Sequence, residues 1–256
     1  MSSGRDYDLI VFGFSGYTGK FVAEEVYRLQ TEGKRSLTWA VAGRNMDKLK
    51  KSMKDSGIEN VDVVVADVTD EASLEAMCAR ATVLLNCVGP FQLYGEAVVK
   101  ACINKKCNYV DITGETYFME KMEAEYGDQA KEAGVYIVNA CAFDCIPNDI
   151  GALVLQKAFP GELVYTDSYL STENTGGFHT GTWESFLYSI RSVKQLSKLR
   201  KEQHKSPLPL PDRKPPQRFF LNYSDVVHKW CLLFPLPDRS VLHPPHPSTS
   251  CSPLHP

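Results

Sequence analysis

The chain lacks any run of the roughly 18 consecutive apolar residues that a bilayer-crossing helix requires. It also lacks an excess of positive charge: 28 Lys and Arg against 31 Asp and Glu leave a formal net charge of −3. Nucleic acid, which is recognised through concentrated Lys and Arg, is therefore excluded as an expected partner. The eight cysteines, at 78, 87, 102, 107, 141, 145, 231 and 251, show no paired C-x-x-C spacing. The six histidines are scattered, three of them at 243, 246 and 255. No metal site is expected from either set, and Cys141 and Cys145 read as packing residues. The opening Met1-Ser-Ser-Gly-Arg-Asp6 has neither an apolar stretch nor an Arg-rich amphipathic pattern. No targeting peptide is predicted from it, and free thiols in a reducing intracellular compartment are the expected state.

What the chain does have is a core-forming composition, 43% hydrophobic, and a regular alternation of strand and helix patterns. Apolar runs at 9–12, 37–42, 61–65, 83–87, 108–111 and 135–138 read as strands. Helices are expected from about Lys20, from the Asn45 cap to Ser56, after Thr69-Asp70, from Gly95 to Asn104, from Phe118 to Ala133, and from Pro147 to Phe159. Strands apolar on both faces, alternating with helices, predict an α/β fold: a doubly wound parallel sheet of Rossmann type.

Leu163–Leu170 reads as a longer, half-exposed strand and Thr175-Gly-Gly-Phe178 as a turn. A helix with an apolar stripe at Trp183, Phe186, Leu187 and Ile190 follows, read as core packing. A boundary is placed near residue 160, giving a nucleotide domain over 1–160 and part of an α+β domain over 161–234. Between Arg191 and Arg218 nine Lys or Arg face two acids, with prolines from 207 onward, which reads as a solvated, partly extended linker. Seven prolines between 235 and 256 predict a disordered tail.

The chemistry is concentrated after the first strand. Gly13-Phe14-Ser15-Gly16-Tyr17-Thr18-Gly19 joins an apolar strand to a helix with glycines in a G-x-x-G-x-x-G spacing, one residue longer in its first gap than the usual dinucleotide fingerprint. Gly13 permits a sharp turn off the strand, Gly16 lets backbone N–H groups approach a diphosphate, and Gly19 lets the helix pack closely. After the second strand, where an NAD site places an acid for the ribose 2′-hydroxyl, stands Arg44. A guanidinium pairs with a 2′-phosphate, so NADP(H) is predicted over NAD(H); the alternative is that Arg44 is a surface charge. Asp67-Val68 ends the third strand, and two readings stay open: a border for adenine, or Asp67 as a cap on the helix behind it. Cys87-Val88-Gly89-Pro90 ends the fourth strand, near the switch point where such sheets bind ligand, and is expected beside the nicotinamide ribose. Cys87 has no neighbour in sequence that would make it a nucleophile. Tyr94, Asp111, Glu115 and Asp144 fall after strands four, five and six and could each transfer a proton; each carboxylate could equally serve as a cap or ion pair.

The motifs Gly13-Phe-Ser-Gly-Tyr-Thr-Gly19, Ala40-Val-Ala-Gly-Arg44, Leu85-Asn-Cys-Val-Gly-Pro90, Tyr109-Val-Asp-Ile-Thr-Gly-Glu115 and Phe143-Asp-Cys-Ile-Pro-Asn-Asp149 occur in order. With Tyr94-Gly-Glu96, His179-Thr-Gly-Thr-Trp183 and Asp238-Arg-Ser-Val241, they make the chain resemble the saccharopine dehydrogenase-like oxidoreductases over about 7–241. The resemblance implies a Rossmann domain, a nicotinamide cofactor and a second α+β domain over the cleft. It also implies kinship with trans-acting enoyl reductases of glycolipid synthesis, and association with lipid droplets, mitochondria or membrane surfaces. Family members continue past the point where this chain reads Leu242-His-Pro-Pro-His-Pro247, and the tail has the look of a shifted frame. The chain is thus expected to keep the nucleotide fold and lose most of the substrate cleft. Three functions follow as expectations: an NADP-dependent oxidoreductase acting on a lipid-linked unsaturated substrate, a non-catalytic nucleotide-binding protein of lipid droplets or membranes, and an amino-acid reductase of saccharopine type.

Overall fold

The computed structural model describes residues 4–143, 145–161, 166–169, 179–203 and 221–232. The chain divides into two compact units, one of Met1–Ala142 with Asn174–Lys205 and one of Phe143–Glu173 with Ser206–Pro256.

The first unit is built on β1 (Tyr7–Phe12), α1 (Tyr17–Thr31), β2 (Trp39–Gly43), α2 (Met46–Asp55), β3 (Asp62–Val65) and α3 (Glu71–Ala79). It continues with β4 (Ala81–Asn86), α4 (Phe91–Asn104), β5 (Asn108–Asp111), α5 (Thr116–Ala133) and β6 (Ile137–Val138). The six strands form one sheet in the order β3-β2-β1-β4-β5-β6. Every pairing in it is parallel, with Leu9 opposite both Trp39 and Val83. This is the doubly wound order in which ligands bind beyond the carboxyl ends of the central strands.

Alternation along β1 divides the core. Ile10 and Phe12 face one side, packing with Leu74, Met77, Val98, Phe118 and Met122 of α3, α4 and α5. Val11 faces the other side, with Ala23 of α1, Trp39 of β2 and Leu49 of α2. Each such fully buried Ile, Val, Leu, Phe or Met side chain contributes about 1.5–3 kcal/mol relative to an exposed one. Two helix starts are set by side chains. Asn45 caps α2 by accepting from Lys48 N–H at 2.9 Å, and Asp70 caps α3 through Ser73 N–H at 3.3 Å.

Two helices C-terminal to the sheet belong to the same unit. α7 (Thr180–Arg191) starts at His179, and α8 (Val193–Glu202) follows at once. The second unit contains α6 (Ile146–Ala158), and its other described secondary structure is the antiparallel hairpin β7 (Leu221–Ser224) and β8 (Lys229–Leu232).

Three expectations change. The extended linker is helical in its first part: α8 is rich in Lys, Leu, Gln and Arg, has no proline, and docks on α5 through Arg200, which grips the carboxylate of buried Glu120. The stripe on α7 is not core, since Trp183, Leu187 and Ile190 are all exposed. Finally, α1 and α4 begin a turn earlier than the pattern suggested, at Tyr17 and Phe91. Thr175–Phe178, most of the linker beyond Gln203, the tail from 235 and the motif at 238–241 lie outside the described residues. So does most of the expected strand at 163–170, of which only 166–169 is described, without strand structure.

Candidate functional site

The turn after β1 is closed by Gly16 N–H donating to Gly13 O at 2.9 Å, while Gly13 N–H donates to Ala42 O of β2 at the same distance. Gly13 has φ +90, and a Cβ there would lie 2.8 Å from Val88 Cγ2. A Cβ on Gly19 would lie 2.3 Å from Gly13 O, so this helix can seat on the turn only without a side chain. Gly16 is the helix N-cap in an extended conformation and makes no side-chain cap bond, and among the described residues no side chain accepts from the first N–H groups of α1. Those donors, with the positive end of the helix dipole behind them, form a cradle for an anion. Phe14 does not obstruct it, because its ring is fully buried with Val11, Ala23 and Leu49 in the core beneath α1. Tyr17 is exposed and stacks on His179, ring centroids 4.4 Å apart, which brings the start of α7 over the turn.

The neighbouring strand ends open on the same edge. Arg44, exposed, follows β2 directly and its charge helps hold the Asp67 carboxyl below the usual range. The larger cause is the hydrogen bonds that Asp67 accepts from Thr69 N–H at 2.9 Å and Thr69 Oγ1 at 2.8 Å. Asp67 therefore ties its own loop, and the helix behind it is capped by Asp70. Val68 packs against the larger core cluster. After β4, Val88 N–H donates to Asn86 Oδ1 at 2.9 Å, and the Gly89–Pro90 peptide is cis. Burial, with the nearby Asp111 charge, pushes the Cys87 thiol up to about 12, leaving it a poor nucleophile.

The acid candidates separate clearly. Asp111 is completely buried and accepts from Tyr109 Oη at 2.8 Å, Asn139 Nδ2 at 2.7 Å, Thr113 N–H at 3.1 Å and Ala140 N–H at 2.9 Å. Burial nevertheless raises its pKa above the ordinary carboxylate value. Glu115 is also buried and caps α4, accepting from Phe91 N–H at 2.8 Å and Gln92 N–H at 2.9 Å. Tyr94, on the first turn of α4, is exposed. Asp144 lies outside the described residues. Sequence reasoning missed the His179 stack and the Asn86–Tyr109–Asp111–Asn139 network, whose three strand-end segments lie too far apart in the chain to reveal themselves as partners.

Residues 9–138 match the saccharopine dehydrogenase NADP binding domain family. Among curated proteins, the human saccharopine dehydrogenase-like oxidoreductase is 37% identical over 93% of this chain and 58% of its own length. A lipid droplet localized protein of Caenorhabditis elegans is 41% identical over 77% of this chain and 48% of its own. A Mycobacterium tuberculosis protein whose name includes the words trans-acting enoyl reductase is 31% identical over 82% and 50%. The chain thus spans about half the length of these relatives. The family's nucleotide is NADP, in accord with a cation at Arg44 where an NAD site carries an acid. By this match and by its sheet order and glycine turn, the chain belongs to the saccharopine dehydrogenase NADP binding domain family, a Rossmann-type, NADP-binding oxidoreductase group.

Proposed function

We propose that this chain holds NADP(H) along the carboxyl edge of its sheet and serves reduction of an unsaturated, lipid-linked substrate. The observation that carries the reading is the glycine turn, where side chains are excluded at Gly13 and Gly19 and the first N–H groups of α1 meet no capping side chain among the described residues. Gly13, Phe14, Ser15, Gly16, Tyr17, Thr18 and Gly19 would hold the diphosphate, largely through backbone N–H groups. Arg44 would pair with the 2′-phosphate, Asp67 and Val68 would border the adenine, and Cys87, Val88, Gly89 and Pro90 would line the nicotinamide side. When bound, the reduced nicotinamide supplies a hydride.

The chain's own contribution is to position and to deliver a proton. Of the three described acid candidates, Tyr94 alone is exposed, and we assign it as the donor to the reduced carbon or heteroatom. Asp111 and Glu115 hold the strand and helix ends that frame it. The lipid assignment rests on the relatives' names, a lipid droplet localized protein and one called an enoyl reductase. A second reading has its own support: with Asp111 and Glu115 consumed by structural bonds, the chain could bind NADP(H) without turnover. Loss of nicotinamide absorbance with a lipid enoyl acceptor, compared between the parent and Tyr94→Phe, decides between them. Turnover that falls at least about tenfold in the variant with unchanged NADPH affinity supports the reductase. NADPH binding without turnover on any enoyl or imine acceptor supports the second reading.

A further inference from the structure

Away from the cofactor edge, three thiols meet inside the first unit. Cys78 at the end of α3, Cys102 in α4 and Cys107 just before β5 are all completely buried, and the Cys78 and Cys102 sulfurs are 3.6 Å apart. Cys107 interacts with both other thiols. Arg5 closes the site from outside. Its guanidinium donates to the carbonyls of Cys78 at 3.0 Å, Lys105 at 2.7 Å and Lys106 at 2.7 Å, and also to that of Ala81. Among the described residues these sulfurs do not form a metal-holding group.

The geometry points to Cys78, Cys102 and Cys107 as a thiol-oxidation site, which a hydroperoxide closes into a Cys78–Cys102 disulfide joining α3 to α4 beneath the Arg5 cap. Interactions with Cys102 and Cys78, with the Arg5 charge, hold the Cys107 thiol below its usual range, whereas burial raises Cys102. Cys107 is thus the entering nucleophile. Its thiolate forms an S–O bond as the peroxide O–O bond breaks, and the departing oxygen leaves as water with the proton Cys107 had released. Cys102 sulfur then displaces the oxygen from Cys107, which leaves as a second water with the Cys102 proton. Cys78 sulfur finally displaces Cys107, the better leaving group, whose sulfur takes up the Cys78 proton. In sum, two thiols and one hydrogen peroxide become one disulfide and two waters.

The test treats the full chain with hydrogen peroxide under native conditions, blocks residual thiols, and reads unreduced peptides by mass spectrometry. A Cys78–Cys102 linked pair, formed ahead of oxidation at Cys87, is expected. Cys107→Ser should slow it at least about tenfold. Absence of a disulfide among the three before circular dichroism reports unfolding overturns the inference, as does an unchanged rate in Cys107→Ser. If Cys107→Ser does not fold, the parent still decides.

Discussion

Gly16 and Gly19 stand three residues apart under different constraints. A Cβ on Gly19 would strike the Gly13 carbonyl at 2.3 Å, so Gly19→Ala must displace backbone. We expect it to cost about 2–4 kcal/mol in folding, read as a lowered Tm, and to abolish NADPH binding with it. Gly16 is in an extended conformation that alanine accepts, and its Cβ would meet only Gly13 O at 3.1 Å. Gly16→Ala should leave Tm within a few degrees yet weaken NADPH at least about tenfold by calorimetry, since the methyl occupies the cradle. Arg44→Asp should lower affinity for NADPH about 10- to 100-fold and leave NADH nearly unaffected, and equal losses on both would refute its role. Asp111→Asn replaces an acceptor of four hydrogen bonds with a group that must also donate, and a loss of about 2–4 kcal/mol in denaturant unfolding is expected. Residues whose role follows from backbone geometry, such as the glycines, were legible in sequence. Asp111 and Glu115 were visible only as acids, because their partners arrive from up to 29 residues away.

At the scale of elements, α4 and α5 are locked together by one carboxylate and one missing side chain. Glu96 accepts from Lys121 at 2.5 Å and Tyr126 Oη at 2.7 Å and pairs with Lys100 at 2.9 Å. A Cβ on neighbouring Gly95 would lie 2.4 Å from the Phe118 ring. Lys121 above all, then Lys100 and Tyr126, pull the Glu96 carboxyl down to about 2 against the opposition of partial burial. Its folded-state value lies below the unfolded one, so the stabilisation is complete above about pH 5 and is lost as pH falls toward about 2. Because the pair is partly exposed, Glu96→Gln should cost only about 1 kcal/mol at neutral pH. It should also flatten the acid limb of the stability curve, which urea unfolding across that range would measure. Strand positions and the α2 cap could be read from periodicity and the Asn45 signal. The true start of α4 could not, because its cap is Glu115 of a different segment. The helical start of the basic stretch is carried by its helix formers and the Leu196 and Leu199 spacing, which its net charge does not reveal.

At the scale of the whole molecule, a complete six-stranded nucleotide sheet accompanies apolar surface that the described residues leave open: Trp183 and Ile190 on α7, Ile150 and Val154 on α6, Trp230 on the hairpin. The sheet was legible because each strand-helix repeat carries its own signal. The exposure of the α7 stripe was not, since a helix pattern specifies an apolar face without saying what covers it. The account as a whole stands on the glycine turn being a diphosphate site with NADP selectivity. Calorimetric titration of the chain with NADPH and NADH tests it most directly. Saturable NADPH binding at least about tenfold tighter than NADH is predicted; failure to bind either nucleotide by a chain that circular dichroism shows to be folded would contradict it.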